Sequence, residues 1–174
     1  DAQRAAGVLG CNYLQQLVES MGMAKVNQCV EALFHHAEGL VTRWIESLPQ
    51  AALSFRDSLD DGTVIAVTLK RDHDRLVIDF DGTAPVHPGC FNATPAIVTA
   101  ATIYVLRCVI GGTLPMNQGI LRPIDLVLPT GLLNPPKGND SSSSPAVVAR
   151  NVETSMRIVD CLLGALGLAA ASQG

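Results

Sequence analysis

The chain has 174 residues, of which 48% are hydrophobic and only 16% are charged. An average soluble domain has about 25% charged residues, so we expect other protein to cover much of this surface. The formal net charge of −4 excludes a broad basic face and argues against a nucleic-acid partner. No apolar run reaches the roughly 18 residues that span a bilayer, and no signal peptide is recognisable. We therefore expect a cytoplasmic protein with no membrane contact.

The five cysteines form no CxxC pair, and an odd number cannot all pair within one chain. Cys29, Cys108 and Cys161 fall in helical patterns among apolar residues. This placement predicts buried free thiols in a reducing cytosol rather than zinc ligands or disulfides.

Apolar residues at helical spacing predict two helices in the first 50 residues, one over residues 4–21 and one over residues 24–48. Gly22 separates the two patterns, and Pro49 ends the second. The short connection predicts that the helices form a helical hairpin.

Two β-branched runs, residues 63–69 and 75–80, flank the polar stretch KRDHD and predict an antiparallel β-hairpin. Thr94 followed by Pro95 marks the start of a helix that runs to about Ile110. Its single charge, Arg107, predicts a central helix buried on nearly all sides.

The final third of the chain predicts a strand at residues 123–128, a turn-rich loop at 134–145, and a last helix that Asn151 can cap. Glu153 falls in the first turn of that helix, where the helix dipole favours a carboxylate. No interdomain linker is visible. The fold class is therefore a mixed α+β unit that spans residues 1–174.

The sequence DFDGT (residues 79–83) matches the opening motif of the haloacid dehalogenase-type phosphatases. In those enzymes the first aspartate attacks phosphorus and the second handles the proton. They also need an acidic pair for magnesium, whereas Asp125, Asp140 and Asp160 each stand alone in the sequence. A strand in a tight hairpin also differs from their parallel arrangement. A phosphatase remains one alternative interpretation.

Longer stretches of the chain resemble another family. DDGTVIAVTLKRDHDRLVIDFDGTAPVHPGCFNATPAIVTAATIYVLR, LPMNQGILRPIDLVLPTGLLNPP and AVVARNVETSMRIVDCLLGALGLAAASQG follow the hydantoinase B/oxoprolinase family in order. The most specific parts are NxGxxRP, beginning at Asn117, and RNVETS (150–155). In this family DFxGT is a loop-forming signature. A glutamine commonly follows this signature in the family, where this chain has APVHPG with His87. The serine run 141–144 of this chain also stands where the family usually has a short turn.

The resemblance implies a segment of a larger domain, from the B-type subunit of an ATP-dependent cyclic amide hydrolase of the 5-oxoprolinase or hydantoinase type. Such a segment would form part of the substrate chamber and the subunit interface. ATP and Mg would lie on a hydantoinase A-type partner, in agreement with the absence of a P-loop here. Any further divalent metal would bind outside this segment. Alternatives are an ATP-dependent ketone carboxylase subunit and a non-catalytic assembly module.

Several polar residues in or beside Gly- and Pro-rich loops are candidates for the site. The predicted substrate-binding residues are Asn92, Asn117, Arg122, Asn151 and Thr154. Amides there can orient a polar heterocycle, and Arg122 can hold a carboxylate or phosphate with two hydrogen bonds. These side chains can equally satisfy loop backbone groups and cap helices.

The carboxylates and glycines of the same loops have two readings as well. Asp79 and Glu153 are the catalytic candidates. Asp79 can instead accept hydrogen bonds from the Gly82 and Thr83 amides in an Asx turn, and Glu153 can simply be a first-turn helix residue. Gly82, Thr83 and Gly119 are predicted structural loop residues. No residue is predicted to bind a metal, because the adjacent His35 and His36 point in different directions on a helix.

Overall fold

The computed structural model describes residues 1–112, 114–140 and 143–169. In chain order, the described residues form two helices, three strands, a third helix, a fourth strand and a fourth helix. The helices are α1 (Ala2–Met21), α2 (Met23–Ser47), α3 (Pro95–Ile110) and α4 (Glu153–Ala165). The strands are β1 (Leu53–Ser58), β2 (Val64–Asp72), β3 (Arg75–Asp79) and β4 (Ile124–Val127). Two short 3-10 turns, Gln118–Leu121 and Val148–Asn151, precede β4 and α4 respectively.

The strands form one sheet in the order β1-β2-β3-β4. β1 and β3 pair antiparallel with β2, which confirms the predicted hairpin of β2 and β3. β4 pairs in parallel with β3, with Leu76 opposite Ile124 and Asp79 opposite Val127. The chain between these strands crosses over through α3, so β3, α3 and β4 form a βαβ unit. The sequence interpretation missed both β1 and this parallel pairing.

Helices α2, α3 and α4 cover one face of the sheet. The core joins residues from all three helices with the inward residues of the strands. Its largest fully buried side chains include Ile45, Ile65, Phe80, Leu106 and Ile158. The opposite face carries Ser54 and Thr68, whose hydroxyls lie 3.0 Å apart and exposed. The mixed α+β class is therefore confirmed as helices packed on one face of a four-stranded sheet.

Helix α1 differs from the expected packing. Gly22 connects it to α2 with a φ of 80°, and α1 has no buried residue. The two predicted helices exist, but α1 does not pack along α2 as a hairpin within the described part of the chain. The residues that would make such a contact are exposed instead.

Helix α3 has the predicted bounds but not the predicted burial. Val98, Ala101, Thr102, Val105 and Leu106 face the core. Tyr104 on the same helix is 58% exposed. Alanine and threonine are uncharged whether they lie in the core or on the surface. The low charge of α3 was therefore compatible both with a helix buried on all sides and with a helix that has one exposed apolar side.

The cysteine prediction holds for one of the three helical thiols. Cys161 is buried, and burial raises its pKa to about 12. Cys29 and Cys108 are exposed. All five cysteines are free. The burial prediction was wrong for Cys29 and Cys108 because each lies on an uncovered side of its helix.

Candidate functional site

The chain segments that follow the parallel strands β3 and β4 form a joined set of loops. These carboxyl-end loops comprise residues 80–94 after β3, and 128–140 and 143–152 after β4. The Leu132 amide donates to the Ala84 carbonyl at 3.1 Å, and the Ala93 amide donates to the Leu132 carbonyl at 2.8 Å. The Ala149 amide donates to the Cys90 carbonyl at 3.0 Å. Open sheets with parallel strands bind ligands outside the carboxyl ends of those strands, so these loops are the candidate site.

The DFDGT stretch forms the turn that leaves β3. Oδ1 of Asp79 accepts a hydrogen bond from the Asp81 amide at 2.9 Å, an Asx turn made with a different amide from those predicted. Gly82 has a φ of 84°, a conformation that favours glycine. The Thr83 hydroxyl donates to the Ala66 carbonyl, and its oxygen accepts from the Ala66 amide, both at 3.1 Å. The turn is thus fastened to β2.

Asn92 lies fully buried within the loops and bonds only to the backbone. Its Oδ1 accepts from the His87 amide at 2.7 Å. Its Nδ2 lies within hydrogen-bond distance of the carbonyls of His87, Gly89 and Ala146, at 2.9, 3.3 and 3.0 Å. Asn92, which the sequence predicted to bind substrate, therefore uses its side-chain amide to join residues 87–92 to the segment before α4. This arrangement positions the loop and leaves no surface of Asn92 for direct contact with a ligand.

The start of α4 carries three of the predicted site residues. The Thr154 hydroxyl, fully buried, donates to the Phe91 carbonyl at 2.5 Å. Glu153, the first residue of the helix, is exposed. The N-cap position belongs to Val152 rather than to Asn151, and the Asn151 side chain lies outside the described residues. Thr154 thus fastens α4 to the loop after β3, while Glu153 faces outward beside it.

A histidine–aspartate pair closes the same loops from the side of the β1–β2 connection. Nε2 of His87 lies 2.7 Å from Oδ2 of Asp61, and Nδ1 of His87 accepts from the Gly89 amide at 2.8 Å. In the neutral ring, Nε2 therefore carries the proton and donates to Asp61. The Thr63 amide, the Thr63 hydroxyl and His87 together lower the pKa of Asp61 to about 2. Sequence reasoning noted His87 only as a departure from a family glutamine, and nothing in the sequence spacing signals Asp61.

Asn117, Gly119 and Arg122 lie at the other end of the parallel strand pair, before β4 begins. The Asn117 side chain accepts from the Gly119 amide at 2.8 Å, capping its 3-10 turn, and donates to the Leu33 carbonyl of α2 at 3.2 Å. A Cβ on Gly119 would collide with the backbone of Phe34. This α2-side cluster (Asn117, Gly119 and Arg122) thus packs backbone against backbone on α2. The structure does not bring it together with Asn92 and Thr154.

The guanidinium of Arg122 is occupied by two carboxylates of α2. It lies 2.9 Å from Oε2 of Glu31 and 3.4 Å from Oε2 of Glu38. It also stacks over the Phe34 ring, 5.2 Å from the centroid. The Glu31 carboxylate, followed by Glu38, raises the pKa of Arg122. The sequence interpretation expected the guanidinium of Arg122 to hold a substrate anion with two hydrogen bonds. In the structure the guanidinium contacts Glu31 and Glu38 instead.

Arg75 holds the same region from the start of β3. Its guanidinium donates to the Asp125 carboxylate of β4 through Nε and Nη2, at 2.7 and 2.5 Å, and to the Arg122 carbonyl at 2.9 Å. The Arg75 hydrogen bonds lower the pKa of Asp125. The amino ends of the parallel strands are therefore joined by an ion pair. The loops at their carboxyl ends are joined instead by backbone hydrogen bonds and by those of the Asn92 side chain.

The cavities differ in size and in place. A cavity of about 10 Å³ lies among the carboxyl-end loops, lined by residues that include Thr83, Thr130 and Gly131; this is room for one water at most. A groove of about 640 Å³ lies between α3 and α4, and its polar lining includes Ser155 and Asp160. Within the described ranges, no three His, Cys, Asp or Glu side chains gather in an arrangement that could hold a metal ion. No described helix is long and apolar enough to cross a membrane.

The fold as a whole has a counterpart among solved structures. The matching structure is the crystal structure of the ATP-dependent caprolactamase from Pseudomonas jessenii, with a TM-score of 0.83 and 20% sequence identity. The match covers 97% of this chain and 29% of the caprolactamase chain. At this identity the match defines the class of fold: a mixed α and β segment found within a larger chain.

The sequence comparisons define the family. The hydantoinase B/oxoprolinase family model matches residues 1–174. The 5-oxoprolinase of Saccharomyces cerevisiae is 33% identical over 179 residues, and 5-oxoprolinase 1 of Arabidopsis thaliana is 33% identical over 189 residues. Each alignment covers 99% of this chain but only 14% of the relative. The chain belongs to the hydantoinase B/oxoprolinase family, which confirms the resemblance, and spans about a seventh of the length of these relatives.

Proposed function

We propose that this chain supplies substrate-facing loops and part of the subunit interface of an ATP-dependent cyclic amide hydrolase of the 5-oxoprolinase or hydantoinase type. The observation that carries the proposal is the family match over residues 1–174, together with one-third identity to two 5-oxoprolinases over almost the whole chain. Because the chain covers only 14% of those relatives, the activity is proposed for the complete protein.

The proposed reaction overcomes the low reactivity of an amide. The amide oxygen of the ring attacks the γ-phosphorus of ATP, and ADP leaves. Water then adds to the activated carbon, and the ring C–N bond breaks with the nitrogen leaving as an amine. A second water hydrolyses the remaining acyl phosphate to a carboxylate and phosphate. One ATP is thus consumed for each ring opened.

The nucleotide site is proposed to lie on a hydantoinase A-type subunit or domain. The sequence has no glycine-rich phosphate-binding loop followed by Lys and Ser or Thr. The described residues also offer no group of three metal-binding side chains, so we propose no resident metal for them. Mg²⁺ would arrive with the phosphates of ATP, and any further divalent metal would lie in another part of the protein. Both ions would reach the substrate from outside this segment.

The carboxyl-end loops are the proposed substrate-facing surface. Asn92 and Thr154 are buried and hold the loop backbones, so we assign them positioning roles. Glu153 is exposed at the start of α4, beside Thr154. Among the two carboxylate candidates Glu153 is the stronger, because Asp79 already accepts a bond from the Asp81 amide.

The experiment is steady-state turnover by the complete protein with ATP and Mg²⁺, using 5-oxoproline and hydantoin as trial substrates and acetophenone with bicarbonate for a ketone carboxylase. Glu153→Gln should lower turnover at least about tenfold, a barrier change of about 1.4 kcal/mol, without loss of assembly. Glu46→Gln, an exposed glutamate on α2, is the matched control. Turnover confined to the ketone would favour a carboxylase. Loss of assembly in the Glu153 variant would favour a non-catalytic assembly module.

A phosphatase is the second candidate, and one observation favours it. β3, α3 and β4 form a parallel crossover, and Asp79 ends β3, as a nucleophilic aspartate in a parallel sheet would. Against it, the described residues hold no acidic cluster for Mg²⁺. The protein should therefore not hydrolyse p-nitrophenyl phosphate. Hydrolysis that is lost in Asp79→Asn, falls in Asp81→Asn because that carboxylate would handle the proton, and is kept in Asp74→Asn, an exposed aspartate of the β2–β3 turn, would establish the phosphatase instead.

A further inference from the structure

Helix α1 presents an apolar stripe to the outside of the described structure. Leu9, Tyr13, Leu17 and Met21 follow one another at intervals of four residues, so they share one side of the helix. Each is between 45% and 58% exposed. In proteins most of the stability of a helix comes from the tertiary packing of an apolar side rather than from helix propensity. We therefore expect another protein surface to pack against the apolar stripe of α1.

The apolar stripe of α2 continues this uncovered surface into the core. In its second half Ala37, Val41 and Ile45 are 0% exposed. In its first half Val30 and Leu33, at the same helical spacing, are 38% and 55% exposed. One stripe is thus fully buried at one end and bare at the other. The bare half has the composition of core and lies in direct continuation of it.

We propose that the helical face (Leu9, Tyr13, Leu17, Met21, Val30 and Leu33) is a permanent packing surface for another segment of the same, longer polypeptide. Its charge supports this occupant. The charged residues of α1 and of the first half of α2, Arg4, Glu19, Lys25 and Glu31, fall outside the spacing of the two stripes, and Glu31 is paired with Arg122. Surfaces of transient complexes resemble ordinary protein surface, whereas permanent contacts have the apolar, charge-poor composition of a domain core cut in half.

The relatives supply the length of chain that this occupant requires. The same segment makes up 14% of yeast 5-oxoprolinase and 29% of the matched caprolactamase chain. In both cases most of the polypeptide lies outside it. A segment of the same polypeptide acts at a high effective concentration, so it would cover the face ahead of a second copy or a separate subunit. The proposal is independent of the reaction that the complete protein catalyses.

The test is site-specific photo-crosslinking in the full-length protein. Tyr13→p-benzoylphenylalanine puts the probe in the middle of the α1 stripe and keeps the first aromatic ring in place, with a benzoyl group where the hydroxyl was. Gln15→p-benzoylphenylalanine, on the opposite side of α1, is the control. We expect the Tyr13 probe to give cross-linked peptides that join α1 to residues outside this segment, within a band of unchanged chain mass, at least about fivefold above the Gln15 probe. A dimer band, a cross-link to a separate subunit, or equal yields from the two probes would overturn the proposal.

Amide hydrogen exchange on the full-length wild-type protein measures the protection of α1 without any substitution in the helix. A covered α1 should exchange its amides at rates close to those of the buried second half of α2. A bare helix of 20 residues opens readily and exchanges quickly. Fast exchange across Ala2–Met21 would therefore contradict the proposal.

Discussion

His87 and Asp61 connect two loops through a single short contact, with Nε2 of the ring 2.7 Å from Oδ2 of the carboxylate. Nδ1 accepts the Gly89 amide on the other side of the ring, so the neutral tautomer with hydrogen on Nε2 satisfies both contacts. The imidazole and the Phe91 ring also make an edge-to-face contact, with 5.2 Å between their centroids. The pair therefore fixes the loop that Asn92 and Thr154 hold from its other side.

The first prediction is that Asp61→Asn destabilises the protein at neutral pH, and that the difference from the wild type disappears in acid. The pKa of Asp61 is lowered to about 2, below its ordinary value near 3.9. A lowered carboxylate pKa stabilises the fold above the ordinary value, and that stability is lost as the pH falls toward the folded value. Urea midpoints of both proteins should therefore converge between about pH 4 and pH 2.

The control for this prediction is Asp60→Asn, because Asp60 is an exposed neighbour in the same turn. Its effect on the urea midpoint should be small and should not follow the same pH window. A difference between Asp61→Asn and the wild type that persists unchanged at pH 2 would show that the Asp61 carboxylate is not the group that fastens this loop.

The second prediction concerns the contact between Gly119 and α2. A Cβ at Gly119 meets the Phe34 backbone rather than a movable side chain, so Gly119→Ala must displace the turn or the helix. Such overpacking typically costs about 1–3 kcal/mol, and backbone contact places this variant at the upper end. Gly7→Ala meets nothing within 4 Å and should stabilise α1 by up to about 1 kcal/mol. Free energies of unfolding from urea titrations distinguish the two, and equal values would contradict the close approach.

The third prediction is that Arg122→Lys has a small effect on both stability and turnover. Arg122 is one-third exposed and pairs with Glu31 and Glu38, and pairs of this kind contribute at most about 1 kcal/mol. Lysine keeps the charge but loses the fork and the stacking over Phe34. Melting temperature and steady-state turnover of the complete protein are the measurements, with Arg43→Lys as the matched change on α2. A tenfold loss of turnover with an unchanged melting temperature would return Arg122 to the substrate site.

The sequence predicted the elements of this fold better than their packing. β2, β3, α3, β4 and α4 have clear patterns of apolar spacing, and Thr94-Pro95 marks the start of α3 as observed. β1 escaped notice because LSFRDS alternates half-buried with exposed residues and contains two charges. The bare side of α1 was equally unpredictable, since an apolar stripe looks the same whether its covering surface is present or not.

For the candidate site, too, the sequence indicated the residue types but not their arrangement in space. Residue types in RNVETS and NxGxxRP indicated polar loops, but spacing along the chain could not reveal that Asn92 and Arg122 lie at opposite ends of the β3–β4 pair. That separation follows from the parallel pairing of two strands 50 residues apart, Arg75 being hydrogen-bonded to Asp125. The partners of each polar side chain likewise come from distant segments, as Ala146 does for Asn92.

The most direct measurement of the proposed activity is the stoichiometry between ADP released and rings opened, with the complete protein, ATP, Mg²⁺ and 5-oxoproline or hydantoin. We predict one ADP for each ring opened, and no ring opening when ATP is omitted. Ring opening without ATP would contradict the proposed phosphorylation of the amide oxygen. ADP release that accompanies no ring opening with any cyclic amide would contradict the assignment as a cyclic amide hydrolase.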